Sequence, residues 1–353
     1  MPGLRWASPA TLSLVVLVLQ NCSLVIMTRY SRVNGTPESR YHTSTLVLNQ
    51  EILKMLFCVV IFAVENRYSN RVPPLGARDF LTVTPSVLTS LWRAISQKET
   101  LKLSVPAALF MMQNYLIFIG LSNLDAVSFQ VWSQTKLVSA AAFSVILLKR
   151  RLSMMQWLSL FVLIFGVLLT QLQGAEMSAR ASLPTVEHPQ RPLLGVVSCV
   201  LSGLSSSYAG VYFEKVVKTT PPSLAVRNIH LSLFGIPFAV LSMFFVDILP
   251  SWKVEGKSGQ TFYFWRGYDQ WLTIGLVFVH ALGGLLVAIV VKYADNIVKG
   301  FATGVAVAVS GILSFIIWGQ VPSEMFVWGC CLITASTVMY HRFEEGACNG
   351  VRS

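Results

Sequence analysis

The sequence predicts an all-α integral membrane protein with ten transmembrane helices. Of its 353 residues, 54% are hydrophobic and only 12% are charged, whereas soluble domains carry about 25% charged residues. Its apolar segments are also long enough to cross a bilayer, which takes about 20 residues. Both observations indicate that lipid surrounds most of the chain.

The ten predicted helices follow from the apolar segments in chain order. Two segments, residues 41–64 and 126–148, are interrupted only by Glu51 with Lys54 and by Lys136. A shorter one, residues 325–340, is the last candidate. Seven others contain no charged residue: 7–28, 103–124, 152–175, 193–213, 228–246, 270–291 and 300–323.

The polar break at residues 174–192 divides the chain into halves of five predicted helices, and an odd number gives the halves opposite orientations. The motifs LDAV (124–127) and Ser153-Met154 recur 170 residues later as ADNI (294–297) and Ser323-Glu324. We therefore predict inverted five-helix repeats over residues 1–175 and 190–342, followed by a cytosolic tail at 343–353. In such proteins the substrate site lies near the bilayer midplane between the repeats.

The net charge of +11 fits membrane orientation better than nucleic-acid binding, because the cations lie between spans rather than in a basic stripe with exposed aromatics. With both termini in the cytosol, 17 of the 27 Lys and Arg residues are cytosolic and 8 are on the other side. The positive-inside rule favours this orientation. It also places the glycosylation sequon at Asn34 in a non-cytosolic loop.

Lys136 lies near mid-depth of its span, where a charged side chain costs roughly 2.5–3.5 kcal/mol. One interpretation is a cation that faces an aqueous cavity and binds an anionic ligand. The other is an internal ion pair with Glu51. Lys54 is a nearer partner for Glu51, because residues three apart share a helix face, so Glu51 and Lys54 are interpreted as a structural pair or as a gate.

Other polar residues in or beside the spans have two interpretations each. Asn114, beside Gln113, could contact a ligand or bridge two helices. Lys292 and Lys299 flank a loop at the membrane boundary, where they could bind ligand or only set the topology. The residues of the segment GLSSSYAG, 203–210, could line a site or serve close helix packing.

The sequence contains no set of residues that is typical of an enzyme active site. It contains no glycine-rich phosphate loop, no Ser-His-Asp set and no intramembrane pair of carboxylates. His230 and His280 are lone histidines without a second ligand at a metal-binding spacing, so we expect neither a metal nor a cofactor.

The segment KYADNIVKGFAT (292–303) resembles the signature of nucleotide-sugar transporters of the UDP-galactose, UDP-N-acetylglucosamine and CMP-sialic acid group. The resemblance covers nearly all ten helices. It also includes the segments EILK (51–54), LSNLDA (121–126), FQV (129–131) leading to Lys136, AGVYFEK (209–215) and VRNI (226–229).

This resemblance implies an inverted-repeat drug/metabolite-transporter fold in the Golgi membrane and exchange of luminal nucleoside monophosphate for cytosolic nucleotide sugar. It implies that Lys136 and Lys292 bind phosphate and that Gln130 lines the cavity. Asn114, Ser206 and Asn228 would contact the nucleotide. The implied partners are a nucleotide sugar, UMP and the lipid bilayer, with a second copy of the chain or a glycosyltransferase as further candidates and no nucleic acid.

The sequence departs from the family pattern beside the implied site. It has Trp132-Ser133-Gln134-Thr135 before Lys136, and Gly304 and Ala306 in place of serines. Phe129 resembles the UDP-sugar members, since CMP-sialic acid members commonly have tyrosine there. The expected substrate is therefore UDP-galactose first and UDP-N-acetylglucosamine second, with CMP-sialic acid or another nucleotide sugar as the alternative.

Two further functions stay open at this point. A proton-coupled metabolite exporter of the same fold would need a titratable carboxylate that faces the cavity, and Glu51 is the mid-span candidate. A membrane scaffold that recruits glycosyltransferases without transport would gain nothing from an ion at the midplane.

The charge distribution predicts that a tag at either terminus is accessible from the cytosol and that Asn34 faces the lumen. Protease digestion of tagged protein in sealed Golgi vesicles measures this orientation. Protection of a C-terminal tag would contradict the prediction.

Overall fold

The computed structural model describes residues 8–34, 41–69, 85–96, 102–124, 126–181, 191–219, 223–254, 262–319 and 323–349, and every regular element in these ranges is helical. The helices are α1 Pro9–Asn34, α2 Thr43–Ser69, α3 Pro85–Ile95, α4 Ser104–Asn123, α5 Ala126–Ser133, α6 Thr135–Leu148, α7 Met154–Ala181, α8 Pro192–Thr219, α9 Leu224–Met243, α10 Leu249–Val254, α11 Trp271–Tyr293, α12 Asn296–Trp318 and α13 Glu324–Asn349. A π-helical turn, Phe244–Ile248, joins α9 to α10.

Nine helical stretches in the described ranges are long and apolar enough to span a membrane, so the protein is a multi-span membrane protein. The predicted tenth span lies in α13, which is long enough at 26 residues. Its uncharged stretch is short, however, because Glu324 begins the helix and Arg342 follows Tyr340 and His341. The ten-helix count therefore stays a prediction for this last helix.

The helix α3 was not predicted. It lies in the polar segment after the second span, where Leu91 is buried while Trp92 and Arg93 are exposed. Leu91 packs with Cys58 and Ile229. One buried face is therefore enough to hold a short helix in an otherwise polar segment.

The repeated sequence motifs mark helix starts. Ser153 and Gln156 cap α7 reciprocally: the Gln156 N–H donates to Ser153 Oγ at 3.2 Å, and the Ser153 N–H donates to Gln156 Oε1 at 2.9 Å. At the start of α13, the Phe326 N–H donates to Ser323 Oγ at 3.2 Å. A side-chain oxygen at this position satisfies an N–H that has no partner within the helix.

The chain forms two compact units. The first comprises residues 1–23, 109–215 and 290–353, and the second comprises residues 24–108 and 216–289. Each unit contains helices from both halves of the sequence. These units are defined by contacts rather than by symmetry, so the repeat boundaries at residues 175 and 190 stay a prediction.

Packing in the first unit depends on glycines between α7 and α13. A Cβ added at Gly329 would lie 2.6 Å from Thr170 Cγ2 and 2.8 Å from the Gly166 carbonyl oxygen. The two helix backbones can approach this closely only because neither glycine has a side chain, which is common in membrane helix pairs. Nearby, Phe301 of α12 packs on Tyr340 of α13 with ring centroids 4.6 Å apart.

We predict that Gly329→Ala destabilises the protein by roughly 1–3 kcal/mol, because the added methyl overpacks this contact. The expected result is a lower thermal unfolding midpoint of the detergent-purified protein. Ala335→Val is the control, since it adds volume at an exposed position of the same helix. An equal or smaller loss in Gly329→Ala than in this control would contradict the packing role.

Candidate functional site

A polar cavity of about 230 Å³ lies within the first unit, among α6, α7, α8 and α12. Two lysines, two glutamines, an asparagine and three hydroxyl side chains contribute to its walls. The polar lining residues are Gln134, Lys136, Gln171, Ser206, Ser207, Asn296, Lys299 and Thr303.

Lys136 follows a break in its span. The helix stops at Ser133 and restarts at Thr135, and Gln134 between them is buried. The Ser207 hydroxyl of α8 donates to the Lys136 carbonyl oxygen at 2.6 Å, so this main-chain group is satisfied beside the break. A Cβ added at Gly203 would lie 3.0 Å from the backbone nitrogen of Lys136, so the absence of a side chain lets α8 approach the broken helix closely.

Lys299 is the second cation of the cavity. It lies in the first turn of α12 and is half-buried, whereas Lys136 is exposed within the unit. The Thr303 hydroxyl donates to the Lys299 carbonyl oxygen at 3.0 Å. Two ammonium groups on one cavity create a region of positive potential suited to an anion with more than one charged oxygen.

Among the residues that the structure describes, two buried acceptors on the cavity wall have no hydrogen-bond partner, namely Asn296 Oδ1 and Gln171 Oε1. Such atoms cost free energy unless a donor reaches them. The Asn296 amide is held against α8, since a Cβ added at Gly210 would lie 2.8 Å from Asn296 Oδ1. Hydroxyl or N–H groups of a bound ligand would satisfy these acceptors.

Two carboxylates hold the first turn of α12. Asp295 Oδ1 accepts from the Val298 N–H at 2.7 Å, and Glu214 Oε2 accepts from the Asn296 N–H at 3.0 Å. Arg150, in the connection between α6 and α7, donates to both residues. Its Nη1 lies 2.5 Å from Asp295 Oδ2 and its Nη2 lies 2.9 Å from Glu214 Oε1.

This network stabilises the charged form of Arg150. Burial alone would lower the pKa of the Arg150 guanidinium, but the charges of Asp295 and Glu214 outweigh it and hold that pKa above its usual value. The Glu214 side chain is fully buried, so it depends on such a counter-charge.

The residues named from sequence are distributed between the two units. In the first unit, Lys136 and Ser206 line the cavity. Lys292 lies on the exposed end of α11, with its Nζ 5.4 Å from the Tyr293 ring centroid. Asn114 is exposed on α4, and Gln130 is partly buried on α5.

The second unit contains the other named residues. Lys54 Nζ lies 2.8 Å from Glu51 Oε1 and 2.7 Å from Oε2, and Ser232 Oγ donates to Glu51 Oε2 at 3.1 Å. Asn228 is buried, and its amide donates to the Leu224 carbonyl oxygen at 3.0 Å. Asn34 ends α1, while the rest of its sequon lies outside the described residues.

Sequence reasoning missed Asn296, Gln171 and Arg150 as parts of a site, and it assigned phosphate binding to Lys292 rather than Lys299. A periodic signal was available on α12, where the cavity-lining positions 296, 299, 300, 303, 304 and 307 recur with a helical period. Lys292 is outside that series because it belongs to the preceding helix. Arg150 had no such signal, since it belongs to a run of three cations in a loop.

The fold and the cavity define a multi-span membrane protein with a polar, lysine-lined cavity. Among the described residues, no three His, Cys, Asp or Glu side chains are placed so that they could bind a metal ion. A family model described as nucleotide-sugar transporter matches residues 9–341. The chain belongs to the nucleotide-sugar transporter family, and it is a transporter of nucleotide sugars rather than an enzyme.

Named relatives agree with this membership, and a solved structure shares the fold. A UDP-N-acetylglucosamine transporter of Rattus norvegicus is 37% identical over 93% of this chain and 94% of its own length. A UDP-galactose translocator of Homo sapiens is 37% identical over 97% of this chain and 79% of its own length. A crystal structure at 15% identity, with a TM-score of 0.59 over 94% of this chain and 97% of its own, shares the fold.

We predict that Lys136→Gln and Lys299→Gln each weaken binding of a nucleotide phosphate by about tenfold or more, because each removes one cation from the cavity. Lys292→Gln is the matched control, since Lys292 lies outside the cavity lining. Displacement of labelled nucleotide from purified protein measures the effect.

The same experiment tests the sequence-based assignment of phosphate binding to Lys292. A larger loss in Lys292→Gln than in Lys299→Gln would support that assignment and contradict the role of the cavity. For Lys136, a double variant with Glu51→Gln tests the alternative ion pair, since recovered binding there would make Lys136 a partner of Glu51.

Proposed function

We propose that this chain is a Golgi antiporter that brings a UDP-sugar into the lumen in exchange for UMP. One observation carries the proposal: Lys136 and Lys299 line the same polar cavity of a nucleotide-sugar transporter. The similar proteins named for UDP-N-acetylglucosamine and UDP-galactose support uridine nucleotides as the ligands.

The chemistry of the cavity fits a phosphate-bearing ligand. Lysine binds phosphate as a compact charge, and a diphosphate offers two neighbouring groups for two ammonium ions. The unpaired acceptors Asn296 Oδ1 and Gln171 Oε1 would take donors such as ribose hydroxyls or a base N–H. A neutral sugar could use these acceptors but would leave both cations without a counter-charge.

Exchange rather than one-way transport follows from the same charges. An empty cavity that closes around two lysines leaves uncompensated charge in a water-poor space, and each such charge costs several kcal/mol. A ligand changes a conformational equilibrium only through a difference in its interaction with the two states. UDP-sugar and UMP both carry phosphate, so either removes this cost, whereas an empty return step does not.

The proposed substrates are, in order of preference, UDP-galactose and UDP-N-acetylglucosamine. The relatives do not separate the two, because both kinds are 37% identical to this chain. Gly304 supports an altered cavity shape: it lines the cavity, and a Cβ there would lie 2.9 Å from Leu163 Cδ1. A serine at this position would force Leu163 to shift and so would change the shape of the cavity wall.

The proposal includes cytosolic termini, since the positive-inside count favours them. Association with a second copy or with a glycosyltransferase remains a prediction that co-purification from Golgi membranes would test.

We expect proteoliposomes loaded with UMP to take up labelled UDP-galactose or UDP-N-acetylglucosamine much faster than vesicles loaded with galactose or buffer. CMP-loaded vesicles offered CMP-sialic acid test the alternative substrate. Initial uptake rates measure the coupling, and Lys136→Gln protein serves as the inactive control.

Equal initial rates from empty and UMP-loaded vesicles would refute exchange while leaving transport intact. Uptake of CMP-sialic acid alone would refute the uridine assignment. No uptake of any nucleotide sugar, from protein that binds none of them, would refute the proposed function itself.

A further inference from the structure

Arg150 lies in a short loop of three consecutive cations between α6 and α7, where the positive-inside rule alone would account for it. Its contacts set it apart from its neighbours. The guanidinium reaches Asp295 at 2.5 Å and Glu214 at 2.9 Å, whereas Arg151 is exposed. Of the side chains in this ion cluster, Glu214 is fully buried and Asp295 is 5% exposed.

The local backbone directs Arg150 toward these carboxylates. Lys149 ends α6 with a φ of 54°, the left-handed conformation that usually favours glycine, and its N–H donates to the Ser144 carbonyl oxygen. This conformation turns the chain sharply between α6 and Arg150. A non-glycine residue in this conformation is uncommon and is held by its surroundings.

The two carboxylates also accept hydrogen bonds from the turn of α12 that lines the cavity. Glu214 accepts from the Asn296 N–H, and Asn296 lines the cavity. Asp295 precedes Asn296 and caps the same helix, one turn before Lys299. The charges that act on the Lys299 ammonium include those of Glu214 and Lys136.

The balance of charge around the cavity therefore depends on Arg150. Two lysines line the cavity and two carboxylates hold the first turn of α12, so without a further cation their formal charges cancel. Carboxylates freed from Arg150 would compete with a phosphate for Lys299, since buried carboxylates take the nearest cation. With Arg150 in place, the three cations outnumber the two carboxylates, and the cluster keeps a net positive charge.

We propose that Arg150 is a positioning residue for phosphate binding: by occupying the Glu214 and Asp295 carboxylates, it leaves Lys299 and Lys136 available to the anionic ligand and holds the first turn of α12 at the cavity. The inference rests on the proposed function, because it concerns the affinity for nucleotide phosphate.

Lysine cannot replace arginine in this role. The planar guanidinium presents Nη1 to one carboxylate and Nη2 to the other, whereas an ammonium is a single point of charge. Arg150→Lys therefore keeps the charge of the loop but occupies both carboxylates less completely. A residue needed only for membrane topology would tolerate this exchange, because Lys and Arg count equally in the positive-inside rule.

The test compares a charged and a neutral ligand on full-length variants purified in detergent. UMP and uridine share the base and the ribose, so their dissociation constants, from ligand-induced thermal stabilisation, separate the phosphate contribution from the rest. We expect Arg150→Gln to weaken UMP binding by about tenfold or more, which is the effect of one nearby charge at an effective dielectric of about 20. Uridine binding should be unchanged.

Two further variants keep the test decisive. Arg151→Gln is the matched control and should change UMP affinity by less than about twofold, because an exposed charge contributes little. The double variant Arg150→Gln/Glu214→Gln has the same net charge as the wild type, and the amide oxygen of the substituted side chain can still accept the Asn296 N–H. It should recover UMP affinity to within about threefold of the wild type.

If Arg150→Gln does not fold, Arg150→Lys and the double variant carry the test, with an intermediate loss of UMP affinity expected for Arg150→Lys. The inference is overturned if Arg150→Gln weakens the binding of UMP and of uridine equally, or if it leaves the affinity for UMP unchanged. It is also overturned if the double variant binds UMP as poorly as Arg150→Gln does. Wild-type protein that binds neither UMP nor a nucleotide sugar would instead refute the proposed function.

Discussion

The cost of a charge away from water governs the arrangement of the first unit. Glu214 is fully buried in α8, and a buried carboxylate persists only with a counter-charge and hydrogen bonds. Arg150 and the Asn296 N–H supply them. Because these contacts join the loop after α6, the end of α8 and the start of α12, they determine where the cavity-lining turn of α12 lies.

Close helix packing is the second requirement, and it is met by small residues. Gly203 lets α8 approach the break before Lys136, and Gly210 accommodates the Asn296 amide. The neighbouring Ser206 lines the cavity while Ser207 bonds to the Lys136 carbonyl. One segment of α8 thus serves both packing and the site, so the two interpretations drawn from its sequence are not exclusive.

The candidate site was predictable in part. Lys136 stands out because a lone cation at mid-depth of an apolar span needs a purpose. The helical period of its neighbours indicates that Lys299 lines the cavity, while the assignment of phosphate binding to Lys292 stays a prediction. Gln171 and Arg150 could not be found this way, because Gln171 resembles any polar residue near the end of a predicted span and Arg150 resembles a topology charge.

The sequence by itself determined the class of the protein. Long apolar segments require helices in a bilayer, since each backbone polar group must be satisfied within its own segment, and the motif at 292–303 indicates the family. Only the tertiary structure decided which cations share a cavity, that the fourth predicted span breaks at Gln134, and that Arg150 pairs with Glu214 and Asp295. Glu214 and Asp295 lie 64 and 145 positions after Arg150. A contact over such separations depends on how helices pack, which the local sequence pattern does not encode.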